Sequence, residues 1–342
     1  MKVLVTGHDG YIGQVLVPLF KGAGHEVVGL DSELFGGCGF GEEGTSPDRL
    51  IRKDIRDVSA SDLEGVDAVV HLAAISNDPL GDYRPQLTDD INHLATVAVA
   101  RAAKRAGASR FLYSSSCSLY GAHGDAPIDE SASFNPVTPY GESKVHSEQG
   151  LAELADDDFS PTYLRNSTAY GVSPRLRGDL VVNNLTGFAY TTGKVFLKSD
   201  GTSWRPLVHI EDISRAFLQL MEAPRELVHN EAFNVGSTQE NYRVRDVAEI
   251  VGQIVPNSTV TLSDQAFNDL RNYRVNCDKI AERVGFQTKW TVPDGVRELY
   301  EAFKATGLTL EDLEGSRYMR IKRVKEQIDN GRLNDDLRWA EV

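Results

Sequence analysis

Residues 2–13 read Lys-Val-Leu-Val-Thr-Gly-His-Asp-Gly-Tyr-Ile-Gly. A short β-branched run breaks into three glycines spaced GxxGxxG and continues into apolar residues at helical spacing. No other feature of the chain restricts its fold as strongly. Gly7, directly after a strand, permits a tight turn; Gly10 lets backbone approach a bound anion; Gly13 lets the helix press against the strand. The N-terminus of that helix presents unpaired N–H groups and a partial positive charge to the turn. A strand, turn and helix of this kind are expected to cradle a pyrophosphate and to open a doubly wound α/β domain.

The rest of the first half agrees. Ile12, Val15, Leu16 and Leu19 share one face of a helix predicted over Tyr11–Lys21. Strands are predicted at Glu26–Leu30, Ala68–Leu72, Arg110–Ser114 and Thr162–Arg165, and helices at Asp89–Ala106 and Tyr140–Leu154. Alternating strands and helices imply βαβ units, right-handed crossovers and a parallel sheet. Beyond Ser167, proline, glycine and arginine become frequent and the alternation weakens. Leu207–Met221 again reads as strand then helix, returning to the first lobe. The expected architecture is therefore a doubly wound parallel sheet formed by 1–166 plus about 207–232. A smaller, interleaved α/β lobe is expected from 167–206 plus about 233–342. The tail carries a charged helix with Ile321, Val324 and Ile328 on one face and Gly331 as its cap, expected to pack on the second lobe.

Composition removes several classes of function. Thirty-six basic residues stand against fifty acidic ones, a net charge of −14, which repels phosphate backbones, so a nucleic-acid partner is not expected. No apolar run approaches the roughly 18–20 residues needed to span a bilayer, so no membrane partner is expected, and Met1–Thr6 does not read as a signal peptide. Cys38, Cys117 and Cys277 lack metal-ligand spacing. They are expected to be free thiols in a reducing cytoplasm, and no metal is expected.

Asp31 follows the second strand, where a carboxylate accepts hydrogen bonds from adenosine ribose hydroxyls and repels a 2′-phosphate; this favours NAD over NADP. Asp54 and Ile55 follow a third strand-like piece, where adenine would lie. Tyr140 and Lys144 are four apart on a predicted helix and so share a face. A free tyrosine, with a pKa near ~10, is a poor base at neutral pH. A neighbouring ammonium and a cationic nicotinamide ring favour its phenolate. Ahead of the pair, Ser114-Ser115-Ser116-Cys117-Ser118-Leu119-Tyr120-Gly121 ends a strand, at the edge where ligands of doubly wound sheets bind.

With these residues in place, the chain from Lys2 to about Tyr300 resembles the extended short-chain dehydrogenase/reductase family, in its NAD-dependent nucleotide-sugar epimerase/dehydratase branch. Further matching pieces are His71-Leu72-Ala73-Ala74, Asn92, Pro139-Tyr140-Gly141-Glu142-Ser143-Lys144, Leu164-Arg165, Arg205-Pro206-Leu207-Val208-His209 with Asp212, and Phe233-Asn234-Val235-Gly236. The resemblance implies a Rossmann domain and a catalytic trio of Ser116, Tyr140 and Lys144. It implies an NAD site drawn from Gly7, Gly10, Tyr11, Ile12, Gly13, Asp31, Asp54, Ile55, Leu72, Ala73, Ala74, Asn92 and Ser114 with the Tyr140 and Lys144 pair. It also implies a nucleoside-diphosphate sugar held by Arg205 and Arg271, with Asn166 and either Asn183 or Asn184; Arg175 and Arg177 are weaker candidates. A homodimer through the helices 89–106 and 140–154 is expected on the same ground.

Three departures narrow the reaction. Sugar 4,6-dehydratases of this family carry an Asp-Glu pair after the catalytic hydroxyl; here Cys117-Ser118 stands there, which disfavours dehydration. Thr168 occupies a position where the family usually has asparagine, and the chain runs past the matched region. The expected activity is epimerisation at C4 through a 4-keto intermediate. The alternatives are a 4-ketosugar reductase or sugar dehydrogenase with net redox, and a non-catalytic nucleotide sensor.

Overall fold

The computed structural model describes residues 1–76, 78–267 and 271–340. Seven strands form one sheet in the order Glu231–Val235, Ser160–Asn166, Arg110–Ser116, Ala68–His71, Lys2–Thr6, Glu26–Asp31, Arg49–Arg52. Every neighbouring pair is parallel. The strand order reverses between Lys2–Thr6 and Ala68–His71, where an open α/β sheet leaves a crevice at its carboxyl edge. Both faces of the sheet are covered, so the central strands are apolar runs rather than alternating ones. Leu4, Val69, Phe111 and Tyr163 face one layer, with Val99, Ala103 and Leu151. Val3, Val5, Val70, Leu112 and Leu164 face the other, with Leu16, Phe20, Phe217 and Leu220.

The predicted elements shift by one or two residues at most ends, and one is interrupted. The alanine-rich helix runs from Ala95 to Arg105 but enters through a π-helical turn at Asp90–Leu94. Inserted residues of this kind re-aim side chains beside functional sites; here the turn carries Asn92 inward.

The second lobe has its own core, in which Tyr170, Val182, Leu185, Leu207, Val247, Val251, Leu299 and Phe303 pack together. Two boundaries differ from expectation. The strand Trp204–His209 belongs to a three-stranded sheet with Thr168–Tyr170 and Asn241–Arg243, although Val208 reaches the core of the large sheet, which the following helix, Ile210–Glu222, covers. The boundary expected near 232, with 233 onward in the second lobe, falls inside Glu231–Val235, which forms the edge strand of the large sheet beside Ser160–Asn166. Ile280 and Phe286 join the same core layer as Phe233. We propose two interleaved lobes on this basis: the first gains Glu231–Val235, the helix Asp278–Val284 and the C-terminal helix Arg320–Asp329. That last helix turns Val324 into the core of the large sheet, with Ile321 and Ile328 alongside. Among the described residues no helix is long and apolar enough to cross a membrane.

Candidate active site

The carboxyl ends of the central strands open onto a cleft of about 650 Å3 between the lobes. Its floor is the glycine turn. Gly7 adopts φ +72°, and a Cβ there would lie 2.8 Å from the Ala73 nitrogen. A Cβ on Gly13 would collide with the Gly7 and His8 carbonyl oxygens, so the first helix touches the turn only because this residue is glycine. Asp31 lines the far end. Its carboxylate accepts from the Glu33 amide at 2.8 Å and the Asp9 amide at 3.1 Å, fixing it beside the turn. Burial raises its pKa, partly offset by those amides. Asp54 lines the same end; burial opposes its charge, yet Arg56 grips it through Nε at 3.0 Å and Nη2 at 2.6 Å and holds it below the usual carboxylate range.

Thr138 caps the helix Pro139–Ala152 by accepting from the Gly141 amide, which sets Tyr140 in the first turn. Lys144, one turn on, is 2% exposed. Its Nζ donates to the Ser114 carbonyl at 2.7 Å and lies 4.7 Å from the centre of the Tyr113 ring and 5.5 Å from that of Tyr140. Burial pushes the ammonium down to about 7, against the pull of Glu148. Ser116 ends its strand and accepts from the Ser118 amide at 3.1 Å. Ser114, Ser116, Tyr140 and Lys144 all line the cleft. A phenol, a buried ammonium and a strand-end hydroxyl gathered this way can exchange one proton with a substrate hydroxyl.

One turn further along the same helix, Glu148 forms a buried pair with Arg165. Arg165 Nη2 donates to Oε2 at 2.7 Å, Ser115 donates to Oε1 at 2.5 Å, and Arg165 Nη1 donates to the Tyr120 hydroxyl at 2.9 Å. This network ties the helix of Tyr140 to two strands. Glu148→Gln leaves the Arg165 charge uncompensated and is expected to cost about 3–5 kcal/mol of stability, measured by denaturant unfolding.

Most residues singled out from the sequence line this cleft: Gly7, Gly10, Tyr11, Ile12, Gly13, Asp31, Asp54, Ile55, Leu72, Ala73, Ala74, Ser114, Asn166, Asn184, Arg205 and Arg271, besides the trio. Arg177 lines it too; Asn92, Asn183 and Arg175 do not. Asn92 is buried behind the wall, where Nδ2 donates to the Ile75 carbonyl at 3.0 Å and to Ser143 at 3.1 Å, bracing the loop after Ala73 against the helix of Tyr140. Asn183 donates to the Arg177 carbonyl at 3.0 Å and accepts from the Gly171 amide at 3.0 Å, so of the two neighbouring asparagines only Asn184 faces the cleft. Arg205 is buried, and its Nη1 donates to the Trp204 and Arg271 carbonyls. Cys117 is buried outside the lining; its thiol donates to the Arg165 carbonyl at 3.1 Å, and burial pushes its pKa up.

Phe196, Ser199, Val244, Tyr273, Met319, Arg320 and Leu337 also line the cleft. The apolar run Val195-Phe196-Leu197 was the available signal for the first two; the last three come from the tail, expected on the second lobe. Elsewhere, Asp89 Oδ1 meets His93 Nδ1 at 3.1 Å and His146 Nδ1 at 3.3 Å, away from the cleft.

The cleft itself suits a dinucleotide: glycines at the helix N-terminus, a fixed carboxylate at the adenosine end, and a buried Asn166 Oδ1 in the wall that has no hydrogen-bond partner among the described residues. Fold and site together define a nucleotide-dependent oxidoreductase-type enzyme. Residues 3–236 match the NAD dependent epimerase/dehydratase family. The chain belongs to this family of extended short-chain dehydrogenase/reductase enzymes, and its cofactor is NAD. It is 28% identical over 319 residues to a UDP-glucose 4-epimerase of Mycolicibacterium smegmatis, covering 89% of this chain and 99% of that protein. It is 26% identical over 333 residues to UDP-glucuronic acid decarboxylase 1 of Arabidopsis thaliana, covering 92% and 72%. Among solved structures, MoeE5 in complex with UDP-glucuronic acid and NAD superposes with a TM-score of 0.77 at 25% identity, covering 89% of this chain and 99% of that one.

Proposed function

We propose that this enzyme epimerises a nucleotide-activated sugar at C4 through a transient 4-keto sugar. The observation that carries this reading is the Tyr140 and Lys144 pair facing a strand end where Cys117 and Ser118, not two carboxylic acids, follow the serine run. Tyr140 takes the proton of the 4-hydroxyl as the C4 hydrogen leaves, and gives a proton back when hydrogen returns on the other face. Lys144 lowers the cost of the phenolate, and Ser116 hydrogen-bonds the reacting oxygen. Bound NAD supplies the hydride acceptor and donor, so there is no net redox. The thiol of Cys117, buried and held to a carbonyl, offers no second acid for dehydration.

In this reading Arg205, Arg271 and Asn184, which line the cleft, hold the substrate diphosphate, with charge-assisted bonds as the source of affinity. Relatives named for UDP-sugars make those the first compounds to try. Proton NMR of UDP-glucose, UDP-galactose and their N-acetyl and uronic acid counterparts, incubated with the enzyme, is expected to show one pair of C4 epimers interconverting without consumption of added NADH. Stoichiometric NADH consumption with a 4-keto-6-deoxy sugar nucleotide would make the enzyme a reductase instead.

A homodimer through the helices around 89–105 and 139–152 belongs to the same reading; Leu94, on the first of them, is 52% exposed. The three free thiols support a cytoplasmic location.

A further inference from the structure

The tail expected on the second lobe packs instead across the adenosine end of the first. Leu337 joins the core that holds Leu30 and Ile55. Trp339 Nε1 donates to the Ser32 carbonyl at 2.5 Å, and Arg338 pairs with Asp57 at 2.5 Å. Met319, Arg320 and Leu337 thereby become wall of the cleft, although the family match ends at residue 236.

Arg320 is the unusual member. It is 3% exposed, its guanidinium lies 3.9 Å over the Phe35 ring, and Nη2 donates to the Arg175 carbonyl at 3.2 Å. Nη1 is buried and has no hydrogen-bond partner among the described residues. Its two neighbours are already engaged: Arg175 grips Asp9 at 2.7 and 2.8 Å, and Arg177 grips Asp179 at 2.9 and 3.0 Å. Among the described residues no carboxylate forms an ion pair with Arg320; burial and Arg177 pull its pKa down to about 10, against the more distant charge of Asp179. A buried cation with an open donor needs an anion. The position says which one. Arg320 lines the same cleft as Gly7, Gly10 and Gly13; it holds the Arg175 carbonyl, and the Arg175 side chain holds Asp9 inside the glycine turn, so one residue links Arg320 to the pyrophosphate cradle.

We propose that Arg320 is a ligand of the NAD pyrophosphate, closing from the C-terminal side the anion site whose floor is the Gly7–Gly13 turn. The assignment rests on this cleft being the dinucleotide site, not on which sugar is turned over. A guanidinium stacked on Phe35 is pre-set for this contact, and the phosphate charge ends its isolation. The tail then contributes to retention of the cofactor through both a charge and an apolar wall.

Titration calorimetry of the nucleotide-free full chain with NAD, ADP and adenosine tests this, beside the NAD content of each protein as purified. Arg320→Met is expected to bind NAD and ADP ten- to a hundredfold more weakly, to bind adenosine within twofold of wild type, and to melt no lower. Arg320→Lys, which keeps the charge without the planar fork, is expected to fall between. ADP binding by Arg320→Met within twofold of wild type overturns the proposal. So does an equal loss for adenosine, which would make Arg320 only part of the wall. If the wild-type chain binds neither NAD nor ADP, the dinucleotide reading of the cleft falls, and this assignment with it.

Discussion

Tyr140→Phe is expected to lower turnover of the nucleotide sugar by about 10²–10⁴-fold while leaving bound NAD and melting temperature unchanged. The substitution removes one oxygen and keeps the ring that stands 5.5 Å from the Lys144 ammonium, so packing in the first turn of the helix is preserved. What is lost is the only phenol of this helix, the group to which the proposed mechanism gives the 4-hydroxyl proton. Steady-state rates set beside a thermal melt and the NAD content of the purified protein separate this outcome from misfolding. An active variant with ordinary kinetics would move the proton-transfer role away from residue 140.

The second large effect concerns Lys144, where catalysis and stability are opposed. An ammonium that titrates near 10.5 when free and at about 7 here costs the folded state whenever it is charged. Between those two values the unfolded chain binds a proton that the folded chain does not, so this residue's contribution to stability rises with pH across that window and is least favourable below about 7. The penalty is of the order of a few kcal/mol. Loss of the bond to the Ser114 carbonyl offsets part of it. Lys144→Met is therefore expected to abolish turnover and to raise the melting temperature of the nucleotide-free protein by several degrees at pH 6, with a smaller gain at pH 9. A fall in melting temperature at both pH values would refute the burial argument.

Much of this was legible in the sequence because the signals are local. Lys2–Thr6 and Ala68–His71 are buried on both faces and therefore read as unbroken apolar runs. Gly7 and Gly13 mark a turn where a side chain has no room, and four-residue spacing is enough to put Tyr140 and Lys144 on one face. What escaped depends on contacts between distant segments. Phe233 and Val235 alternate as in any half-buried strand, and nothing local says that their partner is Ser160–Asn166 rather than a strand of the second lobe. Ile321, Val324 and Ile328 reveal which face of the last helix is buried, but not against which lobe. Asn183 and Asn184 are adjacent, and only the direction of the helix Val181–Thr192 decides which one turns inward to the Gly171 amide.

The cleft wall joins the turn at Gly10 to Leu337, so the two ends of the cavity are set by residues more than three hundred positions apart. Bringing them together carries the entropy of closing most of the chain into a loop, and contacts of such long range form late. No fragment shorter than residues 7–337 contains every residue that lines the cavity. A partly folded intermediate built from neighbouring βα units has the glycine turn but lacks the far wall. The complete cavity therefore waits on the meeting of the two ends of the chain.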